Sequence, residues 1–348
     1  MHHQNILCIL FVMVLVVAVG TPASACTRFI YKAGESQVLT GRSMDWLEDL
    51  HSDMWIFPRN MQRDGGLAKD TITWKSKYGS VIMSGYNAAS ADGMNEKGLV
   101  ANLLYLSESD FGGLNGKPSL SFAAWVQYVL DNYATVSEAV SAMSKEPYRL
   151  VAATFPNGSS ATLHLAISDP SGDSAIFEYL DGKLTIHHGR EYKIMTNSPT
   201  YDKQLALNAY WEEIGGLTML PGTNRASDRY VRASFYSNAL PKFNENRMAV
   251  AAAFSVIRNV SVPLGITTPS KPNISTTIWR TVSDHKNRVY YYESAISPNI
   301  FWVDLKSVDF ESLTEPKKLS LQDHPILAGN VVDKFVEATP FKWLAPAE

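Results

Sequence analysis

A single cysteine follows a triplet of small residues near the start of the chain, and no residue in the sequence is better placed for covalent chemistry. Residues 21–32 read TPASACTRFIYK, in which Ala23-Ser24-Ala25 is the pattern at which a signal peptidase cuts. Cleavage there would leave Cys26 with a thiol and a free α-amine on the same residue. Because an α-amine has an ordinary pKa of about 7.7–8.0 and a thiol one of about 8.5, the amine can take up the thiol proton near neutral pH. The sequence therefore predicts a nucleophile that is activated by its own amine.

The segment before this triplet has the composition of a secretory leader. Residues 6–19 (ILCILFVMVLVVAV) form an unbroken apolar run, which suits a signal peptide and is too short to cross a bilayer as a helix. The first five residues carry no Lys or Arg, so a membrane anchor left in place stays open as the alternative. We expect residues 1–25 to be a signal peptide and residues 26–348 to be a periplasmic or secreted chain that does not bind the membrane after processing.

A cysteine behind a leader is also the mark of a bacterial lipoprotein. In a lipoprotein the thiol carries a diacylglycerol and the amine is acylated, so both groups needed for the chemistry would be blocked. The protein would then be an anchored binding or structural module. Lipoproteins usually hold Leu three residues before the cysteine, whereas this chain has Ala23, which favours ordinary cleavage.

Composition narrows the classes of partner and cofactor. The net charge is −3 with no basic cluster, which argues against nucleic acid and anionic membranes as partners. Because Cys8 lies in the segment to be removed, the mature chain would keep one cysteine and could form no internal disulfide. The sequence has neither the H-E-x-x-H nor the C-x-x-C spacing of metal sites, so we expect neither a metal nor an organic cofactor.

The elements that must position Cys26 begin with a hairpin. Residues 26–32 and 37–43 alternate apolar and polar residues around Ala33-Gly34 and predict two paired strands. The second strand runs into GRSMDW, so Arg42 and Asp45 should lie beside the strand that starts at Cys26. A cation there would stabilise a thiolate, and a carboxylate would orient the α-amine. Taken alone, two such residues are more often a surface ion pair than a site.

The rest of the chain predicts a single layered α+β domain. Helical spacing occurs at 120–131, 136–144, 201–214, 226–239 and 247–258. Strand patterns occur at 79–84, 98–106, 149–154, 161–168, 174–179, 183–188, 275–283, 287–294 and 299–305. Thr135 or Ser137 could cap the second helix, residues 92–98 should be a turn-rich stretch, and residues 181–183 a hairpin turn. The C-terminal extension should wrap the surface or pair with another subunit.

Five segments in order resemble the choloylglycine hydrolase family, which contains penicillin V acylases and conjugated bile salt hydrolases. They are CTRFIY, GRSMDW, DGMNEKGLV, MTNSPTYDKQL and LPGTNRASDRYVRASF, and they span about the first three quarters of the mature chain. The resemblance implies the N-terminal nucleophile hydrolase fold, an αββα sandwich of two antiparallel sheets between helix layers. With its leader, the chain resembles the secreted Gram-negative branch, some members of which also hydrolyse N-acyl homoserine lactones.

The resemblance also implies catalytic roles. Cys26 matches the nucleophile, Arg42 the arginine beside the thiol and Asp45 the carboxylate that holds the α-amine. Asn197 matches an asparagine of the oxyanion hole, and Arg229 matches a second arginine that supports the network. Without the resemblance, Asn197 would be read as a turn residue before Ser-Pro, and Arg229 as a solvated helix residue.

Substrate binding is expected to involve three further residues. The resemblance implies that the Tyr105 backbone N–H is the second oxyanion donor, and Met44 and Trp46 are candidate walls of an acyl pocket; Tyr105 and Trp46 could equally be plain core. Tyr105 falls where bile salt hydrolases carry Asn and some penicillin V acylases carry Tyr. We therefore expect a linear amide hydrolase of the penicillin V acylase type, acting on a small molecule with an apolar acyl group. Hydrolysis of glycine- and taurine-conjugated bile salts is the alternative. The family often forms tetramers, although the sequence itself reveals no interface.

Overall fold

Strands dominate the part of the chain that the computed structural model describes, which is residues 26–34, 37–156, 158, 161–266, 275–297 and 299–346. The predicted signal peptide, residues 1–25, lies outside the described residues, as does its cleavage site. In chain order the strands are β1 (Thr27–Lys32), β2 (Val38–Trp46), β3 (Met54–Phe57), β4 (Gln62–Asp64), β5 (Thr73–Lys75), β6 (Ser80–Gly85), β7 (Ala89–Asn95), β8 (Val100–Tyr105), β9 (Ser119–Ser121), β10 (Arg149–Val151), β11 (Leu163–Ser168), β12 (Ser174–Leu180), β13 (Lys183–His188), β14 (Ile194–Met195), β15 (Thr276–Asp284), β16 (Val289–Ser294), β17 (Ile300–Asp304), β18 (Lys317–Leu319), β19 (Gly329–Asn330) and β20 (Val336–Glu337). The α-helices are α1 (Phe122–Asn132), α2 (Val136–Met143), α3 (Tyr201–Ile214), α4 (Ala226–Ala239) and α5 (Asn246–Asn259).

Two large sheets carry the architecture. Within the described residues, the first sheet has seven strands in the order β14-β1-β2-β15-β16-β17-β19. The second has nine in the order β13-β12-β11-β8-β7-β6-β3-β18-β20. Neighbouring strands of both sheets run antiparallel, except that β17 and β19 run parallel.

The sheets lie face to face, with helices on both outer sides. On β1, Arg28 Nη2 donates to the Ile167 carbonyl of the second sheet at 3.1 Å, whereas Tyr31, on the opposite face, reaches the chain just after α4. Helices α4 and α5 pack on the first sheet, and α1 packs on β7 and β8 of the second. On β6, Val81 belongs to the core cluster shared with the first sheet and Ile82 to the cluster beneath α1. The layers follow the order helix, sheet, sheet, helix.

The predicted opening hairpin is confirmed. Strands β1 and β2 pair antiparallel with Thr27 opposite Ser43. Gly41 lets the strand pass beneath the Phe29 ring, because a Cβ at that position would lie 2.3 Å from Phe29 Cε1. This register places the residue before Thr27, which is Cys26, across from Met44.

The helix predictions and the hairpin turn predicted at residues 181–183 are also confirmed. Helices α3 and α4 have the predicted bounds, and α5 differs by one residue at each end. Thr135, rather than Ser137, caps α2, since its side chain accepts from the Glu138 N–H at 3.2 Å. Asp181 and Gly182 both have positive φ, +51° and +72°, as a tight hairpin turn between β12 and β13 requires.

One prediction is wrong: most of residues 92–98 is not a turn. Residues 92–95 belong to β7, and only the residues that follow make the connection to β8. The polar residues are satisfied inside the protein instead. Asp92 accepts from the Tyr290 hydroxyl of the first sheet, and Asn95 Nδ2 donates to the Leu130 and Tyr133 carbonyls at 2.8 Å each. Tertiary hydrogen bonds thus hold turn-type residues in a buried strand.

The C-terminal extension adds strands to both sheets: β19 pairs with β17 of the first sheet, and β18 and β20 join the second sheet. Strands β18 and β20, which the sequence did not predict, pair at the edge of that sheet, with β18 against β3. No helix among the described residues is long and apolar enough to cross a membrane.

Candidate active site

Cys26 lies at the start of β1, between the two sheets. Its Sγ is 3.8 Å from Met44 Sδ, 4.0 Å from Arg42 Nη2 and 3.6 Å from the Asp45 carbonyl oxygen. The residue is only 2% exposed, yet it lines a cleft. The hairpin alone therefore brings the cysteine to Arg42, Met44 and Asp45, as predicted from its pattern.

Arg42 is fully buried beside the sulphur. Its Nη2 donates to the Leu103 carbonyl at 3.1 Å, and its guanidinium carbon lies 4.5 Å from the centre of the Trp279 ring. Its Nε is 3.8 Å from Asp92 Oδ2. Among the described residues, Nε and Nη1 of Arg42 have no hydrogen-bond partner. The alternative reading of Arg42 and Asp45 as a surface ion pair is wrong, since both side chains are buried and each has other partners.

Asp45 is held by side chains of the first sheet. Its Oδ1 accepts from Thr277 Oγ1 at 2.6 Å and its Oδ2 from Ser43 Oγ at 3.3 Å. Burial raises the pKa of Asp45 to about 6, and this rise is opposed by Arg229, by the two hydroxyl bonds and by Arg42. Asp45 is thus a carboxyl group that titrates close to neutral pH.

Asn197 and Arg229 fix the main chain of Cys26. The Cys26 nitrogen donates to Asn197 Oδ1 at 2.6 Å, and Arg229 Nη1 donates to the Cys26 carbonyl at 2.6 Å. Arg229 Nη2 donates to the same Asn197 Oδ1 at 2.8 Å, and Asn197 Nδ2 donates to the Tyr105 carbonyl at 2.7 Å. The partner of the cysteine nitrogen is therefore the Asn197 amide, whereas the Asp45 carboxylate, expected there from the resemblance, accepts from hydroxyl groups.

The elements around these two residues explain their positions. Asn197 follows β14, which pairs with β1, and its own carbonyl accepts from Gln204 Nε2 of α3 at 3.0 Å. Arg229 lies in the first turn of α4, which packs on β1. Since Arg229 is fully buried, its reading as a solvated helix residue is wrong.

The Cys26 thiol needs a base if it is to attack. Burial raises its pKa above the ordinary value; Arg42 opposes the rise, Asp45 adds to it, and Arg229 opposes it. The raised pKa favours the protonated thiol over the thiolate. The nitrogen held next to it is that of Cys26 itself.

The cleft beside the sulphur is apolar and rich in aromatic rings. It is lined by Cys26, Met44, Trp46, Leu50, Gly85, Tyr86, Ala89, Ala91, Leu103, Tyr105, Phe122, Phe155, Leu163 and Leu344. Trp46 serves both as a wall and as an anchored residue, because its Nε1 donates to the Tyr86 hydroxyl at 2.8 Å and its ring meets Phe155 at 5.3 Å. A cleft with this lining suits an apolar group.

The structure brings the other seven predicted site residues together around Cys26. Among the contributing residues that were missed, Thr277 binds Asp45, Asp92 lies beside Arg42, and Tyr86, Phe155 and Leu344 line the cleft. They approach from far along the chain, and nothing local in the sequence indicates that they meet at this site. Within the described residues there is no group of three or more His, Cys, Asp or Glu side chains that could hold a metal ion.

Comparisons with known proteins show what the chain as a whole is similar to. The model of the family described as linear amide C–N hydrolases, choloylglycine hydrolase family, matches residues 26–318. The chain is 49% identical over 345 residues to the penicillin V acylase of Pectobacterium atrosepticum, with 92% of each chain covered. It is 27% identical over 319 residues to the bile salt hydrolase/transferase of Clostridium perfringens, with 82% of this chain and 94% of the relative covered. The solved structure of the penicillin V acylase from Agrobacterium tumefaciens superposes with a TM-score of 0.86 at 55% identity, covering 92% of this chain and 99% of that one. The predicted α+β fold is thereby confirmed.

Proposed function

The chain belongs to the choloylglycine hydrolase family of linear amide C–N hydrolases, and we propose that Cys26 is the nucleophile with which it cleaves its substrate. The observation that carries this proposal is the position of the cysteine. Its sulphur lines the apolar cleft, its nitrogen is 2.6 Å from Asn197 Oδ1, and an arginine with uncommitted donors lies beside it. Among the described residues Cys26 is the only free cysteine.

The proposal requires the Cys26 nitrogen to be an amine. A signal peptide at residues 1–25 would direct the protein to the periplasm or beyond. Its removal would convert the buried amide nitrogen of Cys26 into an α-amine. What supports this step is that the raised pKa of the thiol calls for a base, and the amine would have an ordinary pKa of about 7.7–8.0. Asn197 Oδ1 would then accept from the amine, as it accepts from the nitrogen now.

The chemistry proceeds through a thioester. The amine takes the proton from Sγ, the sulphur bonds to the acyl carbon, and the carbonyl π pair moves onto oxygen. The amine then returns the proton to the leaving nitrogen as the C–N bond breaks. A water molecule attacks the thioester with the amine again as base, which releases the acid and restores the thiol.

The donors proposed for the oxyanion are the Asn197 side chain and the Tyr105 backbone N–H. Asn197 Nδ2 donates to the carbonyl of Tyr105, a residue that lines the cleft, so the amide is already oriented beside the cleft wall. Arg229 holds the other end of the same amide. This preorganisation means that little reorganisation is needed when charge develops on the substrate oxygen.

The acyl group is proposed to be aromatic or fatty and uncharged. Trp46, Tyr86 and Phe155 suit the phenoxyacetyl group of penicillin V, and the 49% identical relative is a penicillin V acylase. The same lining, which lacks charged side chains among the described residues, also favours the fatty chain of N-acyl homoserine lactones. Bile salts are the second candidate, because a relative at 27% identity is a bile salt hydrolase/transferase.

A substrate panel tests the proposal. The chain recovered after export is incubated with penicillin V, with glycine- and taurine-conjugated bile salts and with N-acyl homoserine lactones, and release of the primary amine is measured. We expect penicillin V to have a higher kcat/KM than any bile salt. Cys26→Ala supplies the matched blank. Faster hydrolysis of the bile salts would move the chain to the second candidate, and amine release by the blank would exclude Cys26 as nucleophile.

A further inference from the structure

The C-terminal end of the chain contributes a wall to the candidate active site. The family model matches residues 26–318, yet Leu344 lines the same cleft as Cys26. We propose that residues 338–346, here termed the C-terminal strap, close the acyl end of the cleft, and that Leu344 sets the length of the acyl group that fits. This inference rests on the proposed amide hydrolysis.

The strap is attached to the second sheet at its beginning. Strand β20 pairs with β18, and the Ala338 N–H donates to the Pro316 carbonyl at 3.0 Å. Farther along, the Phe341 ring lies 5.4 Å from the Trp55 ring and 6.1 Å from the Phe57 ring, both edge-on. Edge-on aromatic pairs of this kind stabilise beyond the area that they bury.

Trp343 packs against Phe341, Arg63 and Gly66. Its ring is 5.2 Å from the Phe341 ring and 5.7 Å from the Arg63 guanidinium carbon. Gly66 leaves room for it, since a Cβ on Gly66 would lie 2.6 Å from the Trp343 Cβ. Gly66 also has φ +78°, which favours glycine on its own account. The strap is thus a packed part of the fold.

Leu344 is clamped by main-chain hydrogen bonds on both sides. Its N–H donates to the Ala88 carbonyl at 2.7 Å, and its carbonyl accepts from the Ser121 hydroxyl. Ala88 lies in the turn between β6 and β7, and Ser121 caps α1. The neighbours of these two residues, Ala89 and Phe122, also line the cleft. The clamp therefore holds the leucine side chain at a fixed point of the cleft wall.

Leu344 and the sulphur belong to different parts of the cleft wall. Of the lining residues, Cys26 and Met44 belong to the core cluster shared with the first sheet, whereas Phe122 belongs to the cluster beneath α1, against which Leu344 packs. An acyl group joined to Cys26 Sγ extends from the first cluster towards the second. The end of the acyl group that is farthest from the scissile bond then contacts Leu344.

The strap can be tested with a homologous series of acyl anilides, from butanoyl to tetradecanoyl, that share one leaving amine. For the wild-type chain, kcat/KM should rise about fourfold for each methylene buried and then level off where the acyl group reaches Leu344. Leu344→Ala should extend the rise by about two methylenes and raise kcat/KM for the longest acyl groups about fifteenfold. Leu344→Trp should move the optimum to shorter groups. Lys342→Ala, an exposed position on the same strap, is the matched control and should keep the wild-type profile.

The outcomes distinguish a failure of the inference about the strap from a failure of the proposed function. Identical profiles for the wild type and Leu344→Ala, or an equal loss at every chain length, would overturn the inference. If the wild type hydrolyses none of the anilides, the proposed function fails on these substrates and the strap is tested by calorimetric binding of the free carboxylic acids. A shift of the tightest-binding length in Leu344→Ala would then support the inference, whereas unchanged affinities or no binding of any acid would overturn it.

Discussion

Two buried arginine–aspartate groups lie on opposite faces of the second sheet. On the face towards α1, Arg63 Nε is 2.9 Å from Asp131 Oδ2. Asp131 also accepts from Trp74 Nε1 at 2.8 Å and from Gln127 Nε2 at 2.7 Å. Both charged side chains are almost fully excluded from solvent, and the carboxylate has its partners within the protein.

The group between the sheets has the same residue types and a different arrangement. Arg42 Nε is 3.8 Å from Asp92 Oδ2, and two of the Arg42 nitrogens have no hydrogen-bond partner within the described residues. The same arginine lies 4.0 Å from Cys26 Sγ, which lines the cleft. Each arginine has two buried nitrogens without a hydrogen-bond partner among the described residues, so buried opposite charges and uncommitted donors are common to both groups. What distinguishes the group between the sheets is the Cys26 sulphur beside Arg42, which lines a cleft that a ligand can reach.

Removal of the Cys26 sulphur should have the largest effect, and that effect should fall on activity and not on stability. Cys26→Ala should lower kcat/KM by about 10⁴-fold or more, because the thioester can no longer form. The midpoint of urea unfolding should stay close to that of the wild type. Retention of more than a hundredth of the wild-type rate by the variant would contradict the account.

Removal of the Asp131 carboxylate, on the face of the second sheet towards α1, should lower stability and leave activity unchanged. Asp131→Ala leaves Arg63 buried without its partner and should reduce the free energy of unfolding by about 3–5 kcal/mol. The kcat/KM per folded molecule, measured well below the melting temperature, should remain unchanged. Glu245→Gln is the control, since it breaks an exposed ion pair with Arg247 and should change stability by less than about 1 kcal/mol. A loss of kcat/KM per folded molecule in Asp131→Ala would contradict the claim that the Arg63–Asp131 group acts on stability alone.

Loss of Arg229 should have an intermediate effect on rate and move the pH profile. Arg229→Met removes the donors to the Cys26 carbonyl and to Asn197, and kcat/KM should fall by about 10²–10³-fold. Because Arg229 opposes the rise in the pKa of Asp45, the acidic limb of the profile should also move to higher pH. A rate loss with an unmoved limb would mean that Arg229 acts on the fold alone.

The smallest expected effect is the pH dependence of the wild type. Protonation of the proposed base, an α-amine with an ordinary pKa of about 7.7–8.0, should lower kcat/KM about tenfold per pH unit below that pKa. If ionised Asp45 is also needed, the fall should steepen to about a hundredfold per pH unit below about 6, where Asp45 becomes protonated. The contribution of Asp45 to stability runs the other way. Its folded-state pKa lies above the ordinary 3.8, so it favours the folded state below about pH 4, and that contribution is lost as the pH rises through about 6.

Asp45→Asn sharpens this test. The variant should lose the acidic limb near pH 6 and become less active at neutral pH. Ser234→Ala, a buried position of α4 that is not part of the candidate site, should keep the limb. If the limb is the same in Asp45→Asn as in the wild type, another group is responsible for it.

The sequence predicts local features of this molecule well and long-range contacts poorly. The hairpin of β1 and β2 and the bounds of α3 and α4 follow from periodicity and turn residues. The assignment of residues 92–98 failed because Asp92 and Asn95 are satisfied by tertiary partners, which no local pattern contains.

The candidate site divides in the same way. Arg42 and Asp45 could be placed beside Cys26 because a hairpin fixes their register. Asn197 and Arg229 were found only through the resemblance, since they meet the cysteine across the fold. Asp92 lies in a segment that carries the resemblance, although its place beside Arg42 was not predicted. Thr277 and Leu344 had no signal, because strand pairing and the C-terminal strap bring them in from far along the chain.

The most direct test of the central claim compares two chains that differ only in the state of the Cys26 nitrogen. One begins at Cys26, and the other keeps a single uncleaved residue in front of it; both carry the thiol. Hydrolysis of penicillin V is measured for each, with intact mass confirming the N-terminus. The account predicts that the chain with a free α-amine is active and that the extended chain loses at least about 10²-fold in kcat, because its base is an amide. Equal activity of the two chains would contradict the amine-activated mechanism.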